Sequence, residues 1–159
     1  MGGGGSWKIG QSDLGKLERV VSEGMKPSDS DGRKNVFLSF ESGDLDQVNL
    51  LRGQAKNESS DLEFNDWSLR EPYDSVNAAY IRRGIKERIR QSSVTLVFVG
   101  ENTHKSQWVD WEIRTSHEMG KRIVAMHTNP NVRLPAALQE LGVKSVPWTH
   151  GALMKAIGG

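Results

Sequence analysis

Val94-Thr95-Leu96-Val97-Phe98-Val99 is the stretch on which the fold turns. It is apolar nearly throughout, lacks the polar alternation of a half-exposed strand, and stops at Gly100 before the polar residues 101–107. Such a run predicts a central strand covered on both faces, as parallel sheets require. Upstream, Ala78, Ile81, Ile85 and Ile89 recur on one stripe at helical spacing, behind Pro72 and the candidate caps Asp74 and Ser75. Downstream, Trp108–Lys121 predicts a helix closed at Gly120 or soon after, and Arg122–His127 a second buried strand. Farther out, Asn35–Phe40 predicts a strand, Leu45, Val48, Leu51 and Ala55 a helix face, and Leu62–Phe64 a short strand. A short helix around Pro135–Leu141 and a strand near Val143–Trp148 complete the alternation. Strand following helix in this way predicts an α/β fold, a central parallel five-stranded sheet with helices on both faces.

At 159 residues the chain holds one domain and a tail, taking about 150 residues per domain as the guide. Eight of its 17 glycines fall in the first 32 residues, and Pro27–Gly32 has linker composition. Residues 1–34 are therefore expected to be a tail with at most one short helix on Leu14, Leu17 and Val21, and residues 35–159 the domain. Twenty-one basic residues against 20 acidic ones leave a net charge of +1, which argues against a general polyanion binder. The absence of cysteine excludes a disulfide framework, a thiol nucleophile, a thiolate zinc site and an iron–sulfur cluster. The longest apolar run is far short of the roughly 20 residues of a spanning helix, and no signal-like start is present. The expectation is a cytoplasmic protein without membrane or nucleic-acid partners.

Ligands of open parallel sheets bind outside the carboxyl ends of the strands, which directs attention to residues 39–46, 65–74 and 100–107. The glycine-rich phosphate motifs, the nucleophile elbow and the HExxH zinc motif are all missing. His104, His117, His127 and His150 show no metal-ligand spacing, so no metal is expected. Arg82, Arg83, Lys86 and Arg90 lie opposite the isoleucine stripe and, without interleaved aromatics, read as a solvated helix face.

The informative segment is Trp108-Val109-Asp110-Trp111-Glu112-Ile113. On a helical wheel Val109, Ile113, Ser116 and Gly120 face the sheet, and Asp110, Arg114, His117, Glu118 and Lys121 face solvent. Trp108, Glu112, Thr115 and Met119 form a third stripe, so Glu112 stands apart from the other charges, one turn from a tryptophan. A carboxylate there can accept hydrogen bonds from ribose hydroxyls or stabilise a developing cation. It can equally be an ordinary glutamate favoured by a helix N-terminus. Trp111 falls on the charged side, where a subunit contact is one explanation.

NVFLSF at 35–40, FNDWSL at 64–69, IRQSS at 89–93, VTLVFVGENT at 94–103 and WVDWEI at 108–113 stand in register with a known family. Over about residues 34–128 the chain resembles the TIR-like proteins of the bacterial Thoeris anti-phage system. The resemblance implies a flavodoxin-like TIR fold and cleavage of the nicotinamide–ribose bond of NAD+, with NAD+ as substrate and no other cofactor. It further implies an ADP-ribose-derived signal, cyclic or conjugated, received by a separate effector protein, and homo-oligomers through TIR–TIR contacts. Trp108 and Glu112 match the family's W-x-x-x-E arrangement, which makes Glu112 the catalytic residue. Phe40 and Glu41 correspond to a loop lining the nicotinamide side, and Asp66, Ser68 and Arg70 to the mobile loop that closes over substrate. Two other readings stay open: a non-catalytic TIR-like adaptor, and a flavodoxin-like nucleotide binder without turnover.

Overall fold

The computed structural model describes residues 34–58, 62–66 and 72–158. Its strands are β1 (Lys34–Ser39), β2 (Leu62–Asp66), β3 (Val94–Val99), β4 (Arg122–His127) and β5 (Ser145–Pro147). The helices are α1 (Leu45–Glu58), α2 (Ala78–Gln91), α3 (Gln107–Glu118), α4 (Ala136–Leu141) and α5 (His150–Gly158), with single 3-10 turns at Ser42–Asp44 and Thr103–Lys105. The tail reading of residues 1–33 lies outside the described residues, which begin with β1 at Lys34.

All neighbouring strands run parallel, in the order β2-β1-β3-β4-β5. This is the α/β arrangement expected, with the flavodoxin-like strand order. From β1 the chain steps to β2 on one side and returns to β3 on the other, so the direction of winding reverses between β1 and β3. Loops leaving those two strands part in opposite directions and open a crevice above their carboxyl ends. The register places Ser39, the last residue of β1, opposite Val97.

Alternation along the strands builds a core on each face. Val36, Leu38, Phe40, Leu96, Phe98 and Met126 pack with Val48 and Ala55 of α1 and with Leu153 and Ile157 of α5. On the opposite face Phe37 meets Ile81, Ile85 and Ile89 of α2, while Val97, Val99 and Ala125 meet Val109 and Ile113 of α3 and Leu138 of α4. All six residues of β3 are buried, as a strand covered on both sides must be.

The helix ends differ from the sequence expectations in informative ways. Neither Asp74 nor Ser75 caps α2. Residues 72–77 instead form turns closed by their own backbone, Ser75 N–H donating to Pro72 O and Ala78 N–H to Ser75 O, so the helix starts at Ala78. The cap of α3 is Ser106, whose Oγ accepts from Val109 N–H at 3.1 Å. Gly120 ends that helix with a φ of 72°, a conformation that strains any residue with a Cβ. The first turn of α4 is capped from outside, Asp110 Oδ1 accepting from Ala137 N–H at 3.0 Å.

Ile85 is 1% exposed at the centre of the α2 contact. Ile85→Ala should cost about 2–5 kcal/mol, seen as a lower urea midpoint at unchanged slope. A midpoint equal to that of the wild type would refute the packing described for α2.

Candidate functional site

Glu112 does not stand at the edge of α3; it is turned toward the sheet and only 6% exposed. The helix packs against both the sheet and α2, so its buried arc is wider than the wheel allowed and takes in Val109, Glu112, Ile113, Thr115 and Ser116. Removing a carboxylate from water is costly unless hydrogen bonds replace the lost solvent. Ser39, itself 1% exposed, supplies one: its Oγ donates to Glu112 Oε1 at 2.5 Å. The donor ends β1 and the acceptor lies on the helix after β3, so the pair spans the crevice where the winding reverses. One turn farther along α3, Ser116 Oγ lies 2.7 Å from Thr95 Oγ1 of β3. This second contact ties α3 to β3 and sets the height of the helix on the sheet.

Aromatic side chains pack around the start of the same helix. Tyr73 meets Trp108 edge-on with ring centroids 4.9 Å apart, and Trp108 meets Trp111 in the same way at 6.0 Å. The Arg82 guanidinium sits 4.4 Å from the Tyr73 centroid and 5.7 Å from that of Trp108, and donates to Tyr73 O at 3.2 Å. Arg82 is therefore a clamp holding the turn at 72–77 against α3 through cation–π contacts, rather than part of a solvated basic face. Trp111 also departs from its expected place. It is half-buried and packs on the cluster of Phe37, Ile81 and Ile85, so part of the ring is covered within the chain. An open cleft of about 350 Å³ lies beside this point, bounded by Tyr73, Lys105, Asp110, Trp111 and Arg114; Glu112 is not among its walls.

The remaining candidate residues are dispersed. Phe40 is 8% exposed and belongs to the core on the α1 side, the face opposite Glu112. Glu41 folds back on its own turn, accepting from Gly43 N–H at 2.8 Å and Ser42 Oγ at 3.0 Å. Asp66 pairs with Arg52 of α1 at 2.5 Å. Beside it, Arg88 donates to Asn65 Oδ1, and burial pushes its guanidinium below the ordinary value while Asp66 pulls the other way. Ser68 and Arg70 lie outside the described residues. Among the described residues no three His, Asp or Glu side chains converge closely enough to hold a metal ion, and no helix is long and apolar enough to cross a membrane. Ser39 was missed in the sequence because a lone serine ending a strand carries no signal until its partner is known.

Residues 37–133 match the family described as Thoeris protein ThsB, TIR-like domain. The chain belongs to this family. A protein of Bacillus cereus (strain MSX-D12) named "Putative cyclic ADP-D-ribose synthase ThsB1" is 33% identical over 100 residues, which are 60% of this chain. The match takes in 52% of that relative, so the chain spans about half of its length. Among solved structures, the TIR domains of the activated Roq1 resistosome align at 20% identity and a TM-score of 0.44, over 61% of this chain and 60% of theirs. A CMP N-glycosidase of Clostridium botulinum, BcmB, aligns at 14% identity and 0.49, over 79% of this chain and 100% of its own. Likeness at that level carries nothing about chemistry.

The mouth of the crevice in this ThsB-family domain is acidic. Asp44 is pressed against Gly100, where a Cβ would come within 2.4 Å of its Oδ2. That oxygen is buried without a hydrogen-bond partner among the described residues. Burial, then the nearby charges of Glu41 and Glu101, raise the Asp44 carboxyl above its ordinary value of 3.8. A carboxyl raised in the folded state costs stability as pH climbs past 3.8, the unfolded value, until the folded group has also ionised. Asp44→Asn should therefore raise the thermal midpoint at pH 7, and the gain should vanish below the unfolded value, where both states are protonated. A gain that persists unchanged at acid pH would show that ionisation of Asp44 is not its cause.

Proposed function

We propose that this domain is an NAD+ nucleosidase in which Glu112 is the catalytic carboxylate, producing an ADP-ribose-derived signal for antiviral defence. The observation that carries the reading is the burial of Glu112 at the switch point, held by Ser39 across the β1–β3 crevice. Cyclic or conjugated products are both compatible with one chemistry, and the name of the Bacillus cereus relative supports the cyclic one.

In the proposed reaction the bond between ribose C1′ and the nicotinamide nitrogen breaks, and its electron pair leaves with neutral nicotinamide. The ribosyl group passes through an oxocarbenium-like state, as in other glycoside cleavages. Pyridinium is already charged, so its departure needs no proton, and one carboxylate suffices where ordinary glycosidases use two. Glu112 holds the ribose hydroxyls and opposes the positive charge that develops on the sugar, an interaction strengthened by its low-dielectric surroundings. A nucleophile of the same nucleotide, of another small molecule or of water then bonds to C1′ and loses its proton. Trp108, one turn before Glu112, is assigned an apolar wall, and Ser68 and Arg70 a place in the loop that closes over substrate. Asp66 would serve from the base of that loop, tied to Arg52. Phe40 and Glu41 act through the shape of the turn after β1. The acidic trio of Glu41, Asp44 and Glu101 suits the cationic nicotinamide end of the substrate and directs the pyrophosphate elsewhere. Assembly through TIR–TIR contacts and a separate effector protein complete the proposal.

The test is NAD+ turnover with mass-spectrometric product identification. Glu112→Gln keeps the size and the hydrogen bond from Ser39, and should lower nicotinamide release by about 100-fold or more. Turnover surviving in that variant would remove Glu112 from the mechanism. A wild-type chain that releases no nicotinamide would favour the adaptor.

A further inference from the structure

We propose that Ser39 is a positioning residue for Glu112, setting the rate of turnover more than the affinity for NAD+ or the stability of the fold. The inference deepens the reading of Glu112 as the catalytic carboxylate and rests on it. Its starting point is the placement of a hydroxyl where the sheet has no structural use for one. On the face that meets α2 and α3, Ser39 follows Phe37 along β1 and lies opposite Val97 of β3, and all three are fully or almost fully buried. Alanine or valine would fill that layer without a polar group to satisfy. The hydroxyl is instead aimed 73 residues along the chain, at Glu112 Oε1.

Both ends of this hydrogen bond are held independently of it. The backbone of β1 is paired on one side by β2 and on the other by β3. Helix α3 is fixed by the Ser106 cap, by the buried Val109 and Ile113, and by the Thr95–Ser116 contact one turn beyond Glu112. The glutamate side chain has three rotatable bonds of its own. Ser39 holds one of its oxygens before substrate arrives. A carboxylate already oriented gives its full attraction to the charge that develops only in the transition state, whereas one that must reorient does not. Loss of the hydroxyl therefore falls mainly on kcat, because in the ground state the positive charge lies on the nicotinamide ring, and it reaches the sugar that Glu112 faces only as the bond breaks.

The experiment measures kcat, KM and thermal midpoint for the wild type, Glu112→Gln, Ser39→Ala and Ile157→Ala in the full chain with NAD+. Ile157, 4% exposed on the α5 side, reports on a core defect remote from the site. Ser39→Ala removes one atom and should fold. Its kcat should fall about 10- to 100-fold, the loss expected of a misplaced catalytic group, with KM within about threefold of wild type. Ile157→Ala should lower the midpoint at least as much and keep the wild-type kcat below its unfolding range. A Ser39→Ala enzyme with wild-type kcat, or one whose change lies in KM alone, overturns the role of Ser39 while leaving that of Glu112 intact. Turnover surviving in Glu112→Gln, or none in the wild type, overturns the reading of Glu112 and the proposal with it.

Discussion

A carboxylate taken out of water must be given partners, and that constraint organises the site end of this molecule. An unpaired buried carboxylate would cost on the order of several kcal/mol, a large part of the stability of a domain this size. Glu112 meets part of that constraint through a hydroxyl on a different element, at the end of the strand where the sheet changes its direction of winding. The hydrogen bond closes only if β1, β3 and α3 all take their final places. Site geometry and tertiary fold are in this sense one condition.

The surrounding packing serves that condition. Packing on both faces of the sheet holds it between α1 and α5 on one side and α2, α3 and α4 on the other. The Thr95–Ser116 contact sets α3 at one height, and Gly120 lets the chain turn at once into β4. Asp110 couples α3 to α4: one oxygen caps Ala137 and the other accepts from Arg114, which also binds Glu140. Those hydrogen bonds raise the Arg114 guanidinium above its ordinary value and lower Glu140. On the opposite flank Arg82 plays a similar part, gripping Tyr73 and Trp108 so that the turn before α2 is anchored to α3.

Charge is distributed unevenly around the crevice. Glu41, Asp44 and Glu101 gather at the ends of β1 and β3, close enough that Asp44 feels both neighbours as well as its burial. A Cβ at Gly100 would meet the Asp44 carboxylate, which would have to move aside to admit it. Membership in the Thoeris ThsB TIR-like family rests on residues 37–133, the part that carries these features. The short β5 and the helix α5 lie beyond it and contribute core: Leu153 and Ile157 cover the sheet on the α1 side.

By itself the sequence determined what depends on local periodicity. The run Val94–Val99, the isoleucine stripe of α2 and the four-residue spacing of Trp108 and Glu112 are properties of neighbours along the chain, and the five strands follow from them. Tertiary structure decided what depends on partners far apart in sequence. The wheel left Glu112 between the buried and solvated faces, because a wheel counts one contact surface and α3 has two. The same omission put Trp111 among the charges, when its ring is taken up by Phe37 and the isoleucines. Helix caps went astray at Asp74 and Ser75 because backbone turns had already claimed that segment. The motif places Asp66 near the site, and only the fold shows that its carboxylate pairs with Arg52 on α1. Ser39 and Glu112 are separated by 73 residues and meet only when two strands and a helix are in register, which is why no local pattern could announce their hydrogen bond.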